Sequence, residues 1–231
     1  MRARKKTLEA AYLVYYKCWW EGLDKLLRPV PGCDLKYLPE EHIKSLKLKR
    51  LSFDESILLV RKEYEVAFTY LQSCDEKGYW VRTRGMAVTG QPGIGMHLSP
   101  AVSPLLTMTT YYPGKTCFLY YLLFRLLSKR NNVAFQVDDQ FLLFQDTGVE
   151  ICDADTTPFL SMPKGTWALT DSHTSFDIPC PAFLTSCASS RARIIQTTSP
   201  KEDNWSRWSK NHYVRIFWMD VVTLDELNAM G

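Results

Sequence analysis

The sequence predicts an α/β fold of three layers: a mostly parallel five-stranded sheet with helices on both faces, preceded by a helical segment. Three observations carry that expectation. From residue 81 onward, short apolar runs alternate with helix-length segments, the pattern of a parallel sheet covered on both sides. The run Cys117–Arg130 is apolar almost all round, as a helix pressed between two layers must be. The first apolar run, Met86–Thr89, opens into a glycine-rich turn of the kind that joins a strand to a helix in such sheets. Residues 1–80 form the helical N-terminal region and residues 81–231 the core.

In chain order, Leu8, Ala11, Tyr12, Tyr15, Tyr16 and Trp19 fall at helical spacing, and Arg28-Pro29-Val30-Pro31-Gly32 ends that helix. Ser52 to Glu55 fits a capping box, and Ile57, Val60, Tyr64, Ala67, Phe68 and Leu71 form one face of a second helix. Asp75–Gly78 is a turn into the first core strand, Met86–Thr89. After the helix 117–130, strand two is Asn132–Val137. Phe141–Phe144 and Val149–Cys152, joined by Gln145–Gly148, make a small β excursion. Strand three is Thr166–Thr170, strand four Arg193–Thr198 and strand five Val214–Met219. A last helix begins near Thr223.

The chemistry is concentrated behind strand one. Gly90-Gln91-Pro92-Gly93-Ile94-Gly95 is followed by residues 96–114, and only then by Lys115-Thr116 and the buried helix. With 96–114 removed, the text reads G-x-x-x-x-G-K-[ST] between a strand and a helix, a phosphate-binding loop. The glycines let successive N–H groups converge on phosphate oxygens. The helix start adds free donors and the positive end of its dipole. Lys115 would reach the β- and γ-phosphates, and Thr116 would place a hydroxyl on Mg²⁺. As written the motif is split: five residues before Gly114 stands Thr109. The segment must loop out if the cradle is to close, with Gly114 standing in for Gly95. The bland alternative is a glycine-rich turn that binds nothing.

Residues 96–114 carry no Asp or Glu and no Lys or Arg, and show no clear period. One hypothesis is a translated intron. Gly95-Met96 admits GGT ATG, with a splice donor, and Pro113-Gly114 admits CCA GGN, with an acceptor. The alternative is a lineage-specific loop. Transcript reads across the junction separate the two.

Trp167 to Asp171 is an apolar strand closing on an acid that would hold Mg²⁺ directly or through water, facing Thr116. The bland alternative is a turn or cap residue. The following residue is Ser172, where many such ATPases carry a water-orienting Glu. Asp177 and Glu202 are the conceivable bases, each also readable as a surface acid. Thr197 and Thr198 could sense a γ-phosphate or simply reflect β propensity. Arg191, Arg193 and Arg207 are available as fingers, though solvated surface arginine is the simpler reading.

With 46% apolar residues the 231-residue chain can build a sizeable core. A net charge of +3 and pI near 8.4 are too mild to argue for nucleic acid, and the basic runs 2–6 and 44–50 read as solvated faces. Seven scattered cysteines without C-x-x-C favour a reducing, intracellular compartment, cytoplasmic or nuclear. The four histidines take no metal-ligand spacing. No signal peptide or membrane span is read, since the most apolar stretch is short and carries Arg125.

The phosphate loop, the helix behind it, Trp167–Asp171, Ile194–Pro200 and the closing Trp218–Leu227 together resemble the AAA-like/STAND-type P-loop ATPases expanded in fungi, grouped with Crinkler or retrotransposon-hot-spot-type proteins. The resemblance covers roughly residues 55–231. It implies a P-loop NTPase fold with ATP and Mg²⁺ at Gly90–Gly95, Lys115, Thr116 and Asp171, and a lid or winged-helix region beyond residue 231. It also implies ATP hydrolysis coupled to a conformational switch or to assembly, with self-association or a protein client. A non-catalytic nucleotide-binding or protein-interaction module is the second reading. A nucleic-acid binder built on the basic N-terminus, which requires steep salt dependence, is the third.

Overall fold

The computed structural model describes residues 2–51, 53, 57–81, 83–90, 114–155, 162–172, 178–188, 192–198, 203–220, 223 and 226. The first helix, α1 (Arg2–Tyr16), runs on into a π-helical turn at Lys17–Glu21, which buries Cys18 and Trp19. Then come β1 (Arg28–Pro29), β2 (Lys36–Leu38), α2 (Glu40–Ser45), β3 (Leu58–Val60) and α3 (Lys62–Glu76). The three short strands pair antiparallel in the order β1-β2-β3. The second helix therefore starts at Lys62, and Leu58–Val60 is strand where sequence periodicity predicted helix. The capping box at Ser52–Glu55 lies outside the described residues, apart from buried Phe53.

The core follows with β4 (Gly85–Gly90), α4 (Lys115–Ser128), β5 (Val133–Val137), β6 (Gln140–Gln145), β7 (Gly148–Asp153), β8 (Thr166–Asp171), α5 (Pro181–Ala188), β9 (Ala192–Thr197), α6 (Asp203–His212) and β10 (Arg215–Met219). The sheet order is β10-β4-β9-β8-β5-β6-β7. The first five strands in that order are parallel to one another. β6 and β7 extend the sheet as an antiparallel hairpin arm. The sheet thus has seven strands, not five. The predicted excursion is part of it, because a two-residue turn lets β6 continue the ladder directly beside β5.

Helices cover both faces. On one, α4 buries ten side chains against the sheet and against α3 and the N-terminal region. On the other, Phe183 of α5 and Trp208 of α6 close over Phe141, Ala168 and Ile194. Packing runs across the 80/81 division: Val14, Trp19, Tyr64 and Phe68 share one cluster with α4 and the sheet. The end of the chain is tied in by a buried ion pair. Arg61 Nε donates to both Glu226 oxygens at 3.3 Å, and an Arg61 Nη donates to the Asp220 carbonyl at 3.0 Å. Thr223 and Glu226 exchange reciprocal side-chain-to-backbone bonds, the pattern of a capping box, and the rest of the helix predicted from Thr223 lies outside the described residues. Among the described residues no helix is long and apolar enough to cross a membrane.

Candidate functional site

The carboxyl edge of the parallel strands is where several sequence-predicted residues meet. β4 ends at Gly90, buried beside Met219 of β10. The helix α4 opens at Lys115, with Gly114 in extended conformation as its N-cap. The Gly114 carbonyl accepts the Phe118 N–H at 3.2 Å and the Tyr64 hydroxyl at 2.9 Å, so α3 holds the entrance of α4. Gln91, Pro92, Gly93, Ile94 and Gly95 lie outside the described residues, as do residues 96–113.

β8 ends at Asp171, in register with Thr197 at the end of β9. Thr116 Oγ1 donates to Asp171 Oδ2 at 2.7 Å, and Thr197 Oγ1 donates to Oδ1 at 2.6 Å. Both carboxylate oxygens are thereby oriented by short, charge-assisted bonds. Thr116 thus faces Asp171, as the sequence predicts. Thr197 orients this carboxylate, a role that its reading as a phosphate sensor did not contain.

Lys115 is half-buried in the first turn of α4. Burial holds its ammonium pKa below the usual lysine value, and the nearby Asp171 charge opposes that shift. The turn carries no acidic residue of its own. The N–H donors and the dipole of a helix start therefore favour an anion there, beside the half-buried Lys115 ammonium. The Thr116 hydroxyl and the Asp171 carboxylate are hard oxygen ligands, and Mg²⁺ commonly takes one or two such protein ligands together with substrate phosphates and water. The donor set fits that ion. Among the described residues no group of three His, Cys, Asp or Glu clusters.

A cavity of about 150 Å³ opens beside this pair, between α4 and the tip of β5. Thr116, Asp171, Gln136, Asp138, Leu51 and Tyr120 line it. Thr170 Oγ1 donates to Gln136 Oε1 at 2.8 Å, and Gln136 Nε2 donates to the Asp138 carbonyl at 3.3 Å. Sequence reasoning missed Gln136 and Asp138. The signal was available: strand two, like strand three, runs straight into an acid.

Ser172 follows Asp171 with its N–H on the Thr197 carbonyl at 2.8 Å, and its buried hydroxyl has no partner among the described residues. Asp177, Glu202, Arg191 and the Arg207 side chain lie outside the described residues. Arg193 sits near the start of β9, at the opposite end of the strand from Thr197. There it pairs with Asp75 and lies over the Trp167 ring at 4.9 Å, so it is a packing residue and not a finger. No family model matches the chain, and neither a curated protein nor a solved structure is similar enough to count as a match.

Proposed function

We propose that the chain is a P-loop-type protein that binds ATP with Mg²⁺ at Gly114, Lys115, Thr116 and Asp171, with the Gly90–Gly95 turn completing the cradle. One observation carries the reading: Thr116 and Asp171, distant in sequence, meet at 2.7 Å where a parallel-sheet strand end faces a helix start. In P-loop proteins those two positions hold the metal. The strand order supports it. β9 stands between β4 and β8, so the phosphate-loop strand and the acid-bearing strand are separated by one strand, as in the additional-strand P-loop ATPases that the sequence resembles.

In this reading Lys115 neutralises phosphate charge and the α4 amides position it. Mg²⁺, when bound, would supply neutralisation of phosphate charge. Thr116 and Asp171 would hold it, and Thr197 keeps the carboxylate aimed. Hydrolysis would be coupled to a switch through Tyr64, whose bond to Gly114 links α3 to the loop. Self-association or a protein client is the natural recipient of such a switch. The buried cysteines Cys18, Cys74, Cys117, Cys152 and Cys180, which form no disulfide, fit a reducing intracellular compartment.

A second reading, a nucleotide-binding module without turnover, is favoured by Ser172 at the position where a carboxylate would orient water. The test of binding is a Mg·ATP titration of the intact chain against Lys115→Ala. Saturable binding that weakens by at least tenfold in the variant is expected. Equal binding by both chains, or none by either, removes the assignment.

A further inference from the structure

We infer that Asp138, at the tip of β5, supplies the water-orienting carboxylate that Ser172 does not. The inference rests on the nucleotide reading above and gives its site a general base. The cavity beside Thr116 and Asp171 reaches the end of β5, and Asp138, exposed there, is among its lining residues. Asp138 is also tied to the metal-side strand. Thr170, the residue before Asp171, holds the Gln136 side chain, and that amide holds the Asp138 backbone carbonyl. The tip of β5 is thus fixed relative to Asp171 by two consecutive hydrogen bonds.

The backbone sets where Asp138 stands. Val137 pairs with Gln140, so Asp138 and Asp139 form the whole turn between β5 and β6. Asp138 has φ 55°, in the left-handed region that glycine or asparagine fills at lower cost. Aspartate tolerates that conformation, so the turn holds an acid at the end of β5.

In the step, a water oxygen attacks the γ-phosphorus in line. The bond from that phosphorus to the β–γ bridging oxygen breaks, and its electron pair leaves with ADP. The proton released by the water passes to the Asp138 carboxylate and then to solvent.

The experiment measures Mg·ATP affinity and single-turnover hydrolysis for the intact chain, Asp138→Asn and Asp138→Gly. Both substitutions suit a left-handed turn, so folding is preserved, and a thermal melt checks that. The expected result is affinity within about threefold of the parent and hydrolysis lower by about 10²-fold or more in both variants, as for loss of a general base. Asp138→Glu is expected to recover part of the rate. Hydrolysis unchanged in Asp138→Asn overturns the inference and leaves the nucleotide reading intact, as does an intact chain that binds ATP without turning it over. An intact chain that binds no nucleotide overturns both.

Discussion

Lys115 carries the most direct consequence of the site's electrostatics. Its ammonium is penalised by burial, and Asp171 compensates only in part, so its pKa lies below the ordinary lysine value. A triphosphate placed beside it favours the charged form and moves the pKa back up. Between the free and bound values, binding must therefore take up protons. Affinity is full below the free-chain pKa and falls as pH rises through it toward the bound value. Calorimetry at a pH between the free and bound values, in two buffers of different ionisation enthalpy, should register net proton uptake that Lys115→Arg abolishes. Identical heats in both buffers contradict the assignment of Lys115. The meeting of Thr116 with Asp171 was legible in sequence, because the phosphate-loop pattern sets a hydroxyl at the helix start against an acid at a strand end. Asp138 was not, because an acid in a hairpin turn has an ordinary local explanation, and only the cavity distinguishes it. The Thr197–Asp171 bond was equally hidden, since it depends on the register of two strands distant in sequence.

At the scale of elements, the buried helix α4 and the five parallel strands were readable from hydrophobic pattern alone, whereas β3 was not. Leu58–Val60 is a short apolar run that fits a helix face as well as a buried strand, and pairing with β2 decides the matter. The β6–β7 arm was seen as strands, but its attachment to the sheet depends on the two-residue turn at Asp138-Asp139. Layer packing makes its own prediction at Gly85, the first residue of β4. A Cβ there would lie 2.7 and 2.9 Å from the Trp208 ring of α6 and 3.0 Å from the Ile194 carbonyl oxygen. The tryptophan is buried and the carbonyl belongs to the neighbouring strand, so neither can yield cheaply. Gly85→Ala should destabilise the chain by about 1–3 kcal/mol, as overpacking does. Urea unfolding should show a lower midpoint with an unchanged slope. Trp208→Leu in the same background should recover part of the loss. A midpoint equal to the parent's would mean that α6 does not press on β4.

Over the whole molecule, the N-terminal region, the loop and the chain end converge on α3. Arg61 at its start holds Glu226 and the Asp220 carbonyl, and Tyr64 one turn later holds Gly114. Cooperative unfolding of the N-terminal region with the sheet follows from that shared core. The same convergence bears on residues 96–114. In the intact chain, residues 91–114 separate β4 from α4; without 96–114, residues 91–95 alone do so, a connection about fivefold shorter. The ends it joins, Gly90 and Lys115, belong to a strand and a helix already fixed by the sheet. Closure entropy grows as (3/2)RT ln n, and because those ends are already joined in the folded chain the term acts on folding: shortening the loop lowers its closure cost by about 1.4 kcal/mol. Gly95 would inherit the position of Gly114, including the carbonyl that the Tyr64 hydroxyl reaches. The chain lacking 96–114, in which the phosphate-loop pattern is unbroken, should therefore be the more stable form and bind Mg·ATP more tightly than the intact chain. Tyr64→Phe should weaken binding in both forms, as measured by titration and by the nucleotide-dependent rise in melting temperature. If the shortened chain folds with the same circular dichroism yet binds no better, Lys115 and Gly90–Gly95 do not form one cradle, and the anion site reduces to the start of α4.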